Sequence, residues 1–366
     1  MSKEPLTRAE CNALRGLAII GIFLHNYCHW LRPIVKENEY TFARHNVDVF
    51  SQVLSHPDAS FPLHLFSFFG HYGVPIFLFL SAFGLVRKYE QSETRQLPVV
   101  PFVRYHYLKL FKMMIVGFVA FVLVDAATPQ SWHYDVVKVV SQLLMLNNLL
   151  PDPDHIIWPG PYWFFGLMLQ FYIVYRLVLY KRHWGWTVGL TAVCLGIQLC
   201  LGPESEELNR YRYNFMGGML PFGAGLLYAR YGGRWAKLVR LKGGRAFAGF
   251  LLFSALFVAL SYDFAAWAVV PLAVCGASVC LVKWLTRLSD DVSGMVFNAL
   301  EWMGGISAAL FVCHPITRKI LIPISRHGDI YTGLILYIVA SICVAWLFKE
   351  LMKRIPNPKM KLKDEA

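Results

Sequence analysis

Two histidines near the start of the chain invite a chemical reading. The stretch 14–31 reads LRGLAIIGIFLHNYCHWL. His25 and His29 are four residues apart and so share one face of a helix. A neutral imidazole is matched to taking a proton from a hydroxyl near pH 7. Asn26 follows His25, and Arg15 precedes it by ten residues, about 15 Å along a helix axis. One such group in an apolar run is an accident; an Arg, two His and an Asn together point to a polar cavity, because ionisable groups in a membrane are costly. Hydrogen bonding between neighbouring helices is the plainer alternative for the His pair.

Three more apolar runs carry polar groups. The stretch 70–85, GHYGVPIFLFLSAFGL, places His71 at one end and Ser81 near the middle. Its small residues are explained by close helix packing, but His71 is not. The run after Pro159, GPYWFFGLMLQFYIVYRL, holds Gln170 at mid-depth, where an amide needs a partner, and Tyr172 and Tyr175. Tyr162 and Trp163 suit an interfacial aromatic belt. In MGGISAALFVCHPI, Ser307 and His314 are seven apart and share a face, with Pro315 expected to loosen the helix after them. The stretch GGMLPFGAG at 217–225 is expected to weaken or kink its helix, as a tunnel wall would.

The elements that must carry these groups are membrane helices. The chain has 366 residues, 56% hydrophobic and 16% charged, against roughly 25% charged in a soluble protein. A soluble domain this apolar could not cover its surface. Ten runs are long enough to span: about 13–31, 70–86, 110–127, 162–180, 185–202, 213–229, 246–262, 264–284, 303–324 and 331–348. The expected fold is all-α, a multi-pass bundle of about ten transmembrane helices forming a single domain over 1–366. Basic residues mark alternate connections. They cluster at Lys3, Arg8 and Arg15; at Arg87, Lys88, Arg95, Arg104, Lys109 and Lys112; at Lys181 and Arg182; from Arg230 through Arg240 and Lys242 to Arg245; and from Lys349 to Lys361 and Lys363. Both termini are therefore expected in the cytoplasm. The net charge of +12 reflects this bias, not a nucleic-acid partner. The run 136–150 is flanked on both sides by segments without Lys or Arg, so it reads as one interfacial or re-entrant helix.

These segments together resemble the acyltransferase 3 family of integral-membrane acyltransferases. The resemblance rests on Arg15…His25, on GHYGVPIFLFLSAFGL, on Trp163-Phe164 followed by Gln170 and Tyr172, and on Ser307…His314. It covers nearly the whole chain and the ten-span count. Family members usually place ten residues between the Arg and the His; here nine intervene. A ten-residue step misses the shared face by about 80°, and Asn26 takes the usual place. A local bulge could restore the register, or His29 could share the role. Ala82 replaces the Gly of a Ser-Gly-Phe element, and Lys109…Lys112 replaces an Arg pair. No appended esterase-like domain is expected.

The resemblance implies an O-acyltransferase of the inner membrane and cell envelope. It would move an acetyl group from cytoplasmic acetyl-CoA to a hydroxyl of a carbohydrate or glycolipid acceptor at the outer side, as in polysaccharide modification. His25 would be the base or a transient acyl carrier, with His29 sharing the role, and Arg15 would meet a CoA phosphate or fix the helix. His71, Ser81, Gln170 and His314 would orient acceptor or acyl group. Arg104, Lys109 and Lys112 are candidate donor contacts. Acetyl-CoA enters as substrate, so no permanently bound cofactor is expected, and lipid surrounds the bundle.

No metal site is expected. The segment 32–69 holds Glu37, Glu39, His45, Asp48, His56, Asp58 and His64 at spacings of no recognised site, and reads as a solvated or substrate-facing loop. The eight cysteines contain no CxxC and read as small buried apolar residues. A secondary transporter or lipid-linked-glycan flippase is the rival reading, disfavoured by the absence of visible repeats and by acids that almost all lie in loops or near span ends.

Overall fold

The computed structural model describes residues 5–91, 97–238, 243–288 and 291–360, with the side chains of 234–238 excepted. Of the basic residues used for orientation, Lys3, Arg95, Arg240, Lys242, Lys361 and Lys363 lie outside the described residues. The described chain is helical, with a helix at each of the ten expected positions. They are Arg8–Cys28, Gly73–Tyr89, Val99–Ala127, Trp163–Val174, Trp184–Cys200, Met219–Leu238, Gly243–Leu260, Val270–Leu285, Asp291–His327 and Ile330–Arg354. Among the described residues six helical stretches are long and apolar enough to cross a membrane by length and composition, and two shorter apolar helices, Trp184–Cys200 and Val270–Leu285, accompany them.

The first helix starts where Thr7 and Glu10 cap each other's backbone. It packs along Asp291–His327, with Gly73–Tyr89 beside it, and Ile330–Arg354 packs in turn on Asp291–His327. Small residues allow that approach: Gly16 meets the Leu300 carbonyl, and Gly304 meets the Asn12 carbonyl. The bundle's outside is apolar rather than polar. Leu123 is 67% exposed and Leu252 59%, the pattern of a surface covered by lipid. Cys200 and Cys343 lie on that exterior and are exposed, so those two are not core cysteines.

Charged groups near the helix ends pair. Arg230 grips Glu90 through two nitrogens at 2.7 and 2.8 Å. Lys283 bonds Glu10 at 2.8 Å, and Lys319 meets buried Asp125. The segment 136–150 forms a helix over Val136–Leu143 and a 3-10 turn over Asn147–Leu149. Eight residues give about 12 Å, far short of a crossing. Val136, Val137 and Val140 face outward, while Gln142, Asn147 and Asn148 are buried.

Three local expectations are corrected. The first helix runs from Arg8 to Cys28 without a bulge, so Arg15 and His25 stay on different faces and Asn26 holds the register position. Met219–Leu238 is not broken within: Pro221 sits in its first turn, where a missing N–H costs nothing, and Gly217 and Gly218 precede it. The helix Asp291–His327 continues through Pro315 and Pro323, held by packing on both sides.

Candidate active site

The end of the bundle away from the N-terminus encloses a cavity of about 470 Å³. Seven separate parts of the chain wall it: the end of the first helix, the loop at 37–40, the entry at 71–74, Trp132, the segment 153–164, Tyr213, and Phe311 with Arg318. A side pocket of about 40 Å³ adjoins it, sharing Glu39, Tyr40, His71 and Trp163 and lined also by Gly217, Gly218 and Pro221.

His25 lies at the heart of the cavity and is 2% exposed. Its Nδ1 is 2.8 Å from the Ser67 carbonyl oxygen. A carbonyl only accepts, so Nδ1 carries the proton and donates it. That leaves a lone pair on Nε2, which lies 3.9 Å from Glu37 Oε1 and 3.8 Å from Glu39 Oε2. Both distances are too long for a hydrogen bond. Gly70 makes this seat possible, since a Cβ there would meet Gly21 O at 2.6 Å and His25 Cβ at 2.7 Å.

His29 packs on His25 with ring centres 4.6 Å apart, and its Nδ1–H donates to Glu37 Oε1 at 2.9 Å. His71 stands edge-on to His25 at 5.5 Å. It is 4% exposed, and neither of its ring nitrogens has a protein partner. A neutral imidazole has one donor and one acceptor, so His71 offers both to whatever enters. His25, His29 and Glu37 each offer a donor atom within 4.8 Å of the others, close enough for a cation. Of the atoms that face one another there, His29 Nδ1 and Glu37 Oε1 are already hydrogen-bonded, whereas His25 Nε2 is not.

The two loop carboxyls differ. Burial alone would raise Glu37, but His29 and His25 beside it outweigh that and hold it below the ordinary range. Burial, and then the charge of Glu37, push Glu39 up to about 8, against the pull of Arg212. One carboxyl is thus charged at neutral pH and the other mostly neutral, a division that separates acid from base roles. A carboxyl raised on folding contributes stability in full below its unfolded value of 4.5 and has lost it above about 8. Thermal stability is therefore expected to fall across that window in wild type and to fall less in Glu39→Gln. Parallel melting curves for the two proteins across the window would refute this.

Aromatic rings form the rest of the wall. Trp132 and Trp158 stack at 4.5 Å and 9°. The loop bearing Trp132 is tied down by its N–H to Asp125 Oδ2 at 2.7 Å, and Lys319 anchors Asp125 in turn. Tyr40 and Tyr213 stack at 3.9 Å, and Trp163 meets both edge-on. Tyr213 O–H donates to Asp154 at 2.7 Å. Tyr162 and Trp163 are therefore inside, not at an interfacial belt: Tyr162 is fully buried and donates to the Val312 carbonyl at 2.9 Å.

The fold brings together His25, His29 and His71, with His314 in the wall behind. His314 is fully buried, with Nδ1 3.0 Å from Leu310 O and Nε2 without a partner. Others lie apart. Gln170 bonds Asn214 and the Phe215 N–H at 2.7 and 2.9 Å, which secures the turn carrying Tyr213 but keeps Gln170 out of the cavity. Ser81 lies further along its helix and does not line the cavity, and Ser307 donates to Gly304 O at 2.8 Å. Tyr172 and Tyr175 point elsewhere, to His106 and to Glu90. Arg15 bonds Asn12 at 2.9 Å near the opposite end. Arg104 and Lys109 are exposed, and Lys112 reaches Asn357 at 2.8 Å.

A model of an acyltransferase domain matches residues 8–350, nearly the whole chain. The chain belongs to the acyltransferase 3 family. It is an integral-membrane acyltransferase. No match is found among curated proteins or among solved structures.

Reading by spacing missed Glu37 and Glu39 as site groups, and Arg318, Trp132 and Trp158 altogether. Glu37 and Glu39 stood in a segment read as substrate-facing, and two acids eight and ten residues past His29 were the available signal. Arg318, four residues past His314 in an apolar run, was the other.

Proposed function

We propose that this acyltransferase moves an acetyl group from cytoplasmic acetyl-CoA to a hydroxyl of a carbohydrate or glycolipid acceptor on the outer side of the inner membrane. The observation that carries the reading is the unpartnered Nε2 of His25, held in one tautomer by Ser67 and facing a cavity large enough for substrate. Nε2 takes the proton of the acceptor hydroxyl as its oxygen attacks the acyl carbonyl. The charge of Glu37 stabilises the imidazolium that results, directly and through His29. His71, with a free donor and a free acceptor, orients the acceptor hydroxyl or the acyl carbonyl. The stacked Trp132 and Trp158, with Tyr40 and Tyr213, offer flat apolar faces suited to a sugar ring, while Asp154 supplies a polar rim.

The donor enters from the N-terminal end, so its acyl group must travel about 15 Å of helix between the level of Arg15 and that of His25. Arg15 and Arg104 at that end are available to CoA phosphates, with Lys109 and Lys112. Lys109→Ala with Lys112→Ala is expected to raise the donor KM about tenfold, equal to about 1.4 kcal/mol, and to leave the acceptor KM unchanged. An unchanged donor KM would return both lysines to a purely topological role.

The deciding experiment is acyl-CoA binding to detergent-purified protein, followed by CoA release and mass spectrometry for an acylated histidine. Saturable binding with CoA release supports the proposal. Folded protein that binds neither acetyl-CoA nor longer acyl-CoAs would overturn the choice of donor.

A further inference from the structure

Arg318 occupies an unusual position for a buried cation. It is 6% exposed, lies within the helix Asp291–His327 and lines the cavity that holds His25. The half-buried cations Arg230, Lys283 and Lys319 each sit on a carboxylate, whereas the half-buried Arg15 and Arg212 bond amide or backbone oxygens and are less enclosed than Arg318. Among the described residues Arg318 has no carboxylate partner. Its Nη1 donates to the Asn26 carbonyl at 3.1 Å and approaches Asn26 Oδ1 at 3.4 Å. Its guanidinium carbon stands 5.0 Å from the centre of the Trp30 ring. Asn26 and Trp30 therefore hold the guanidinium in place without neutralising it. A guanidinium has five N–H donors and stays charged. A buried charge without a counter-ion is costly, so the folded enzyme keeps it at the expense of stability.

Two kinds of anion could meet it: a charge carried in by the acceptor, or one that forms during the reaction. The charged Glu37 lines the same cavity, with Asp154 at its rim, and disfavours entry of an anionic acceptor. Acyl transfer creates a negative oxygen on the acyl carbon, beside the base that starts the reaction. Arg318 is fastened to the residue next to that base.

We propose that Arg318 is a catalytic residue that holds the oxyanion of the tetrahedral intermediate, a role resting on the acyl-transfer reading of this cavity. The acceptor oxygen bonds to the carbonyl carbon of the acyl thioester while its proton passes to His25 Nε2. The carbonyl π pair moves onto oxygen, and that oxygen accepts N–H bonds from Arg318. The pair then returns, the C–S bond breaks, and the leaving thiolate takes the proton from His25. A donor fixed before the charge appears needs no reorganisation when it does, which is why such groups count for so much in a dry site.

The test uses the purified full chain, with CoA release as the readout and both KM values measured. Arg318→Met is expected to lower kcat by about 10²–10³ with both KM values within about threefold of wild type. Added guanidinium chloride is expected to restore part of the lost rate in that variant and none in wild type. Arg318→Lys, which keeps the charge but loses the fork, is expected to lose about tenfold and serves as the deciding variant if Arg318→Met does not insert. Full kcat in Arg318→Lys, full kcat in Arg318→Met, or a loss confined to the acceptor KM each overturns the oxyanion role. A loss that follows a lowered melting temperature and resists guanidinium overturns it too. Wild-type protein that releases no CoA from any acyl-CoA overturns the underlying acyl-transfer reading instead, and the two failures are thereby told apart.

Discussion

His25→Ala is expected to abolish measurable acyl transfer while the bundle still forms. The imidazole is the group whose free lone pair faces the cavity in a tautomer set by the Ser67 carbonyl. Removing a positioned base costs about 10²–10⁴ in rate, and His25 also anchors the rings of His29 and His71. The structural cost is smaller. The lost bond leaves one buried carbonyl without its donor, about 1–3 kcal/mol, spread over a helix otherwise held along its whole length by Asp291–His327. The check is CoA release alongside size-exclusion behaviour and a melting curve. Undiminished turnover in a folded His25→Ala protein would remove His25 from the mechanism and promote His29.

The second large effect concerns assembly. Gly304→Leu is expected to prevent the first helix from closing on Asp291–His327, so that little monodisperse protein is recovered. A Cβ at Gly304 would lie 1.9 Å from the Asn12 carbonyl oxygen, and one at Gly16 would lie 1.9 Å from the Leu300 oxygen. Both obstacles are backbone, which cannot rotate aside as a side chain can. The helices would have to part, losing packing at an interface that depends on close approach. Overpacking costs about 1–3 kcal/mol even where neighbours can adjust, and here they cannot. Gly84 is the control, because nothing lies within 4 Å of a Cβ there. Normal yield and melting for Gly304→Leu, equal to Gly84→Leu, would show that this helix pair does not need the contact.

Much of the bundle was legible because its signals are local. Hydropathy over some twenty residues locates a helix, and each of the ten expected runs carries one. The failure of 136–150 to span was legible from its flanks. The pairing of His25 with His29 was legible too, since a four-residue step on a helix is a statement about one face. Gln170 shows the limit of such reasoning. Its mid-depth amide needed a partner, and spacing alone could not say whether that partner was a neighbouring helix or a substrate; the bonds to Asn214 and Phe215 answer for the resting protein. Cys200 and Cys343 show another limit, because an apolar run has the same composition on its protein face and its lipid face.

By itself, then, the sequence determined an all-helical membrane bundle, its family pattern, and a first helix with two histidines on one face. Only the tertiary structure decided which groups those histidines meet. Glu37 and Glu39 return to His25 through a loop, His71 arrives from the next long helix, and Arg318 crosses from a helix nearly 300 residues away to bond Asn26. The physical reason lies in range. Helix formation and membrane burial depend on neighbours within a few turns, whereas a buried charge or a lone imidazole takes its role from partners that only packing brings within a few ångströms.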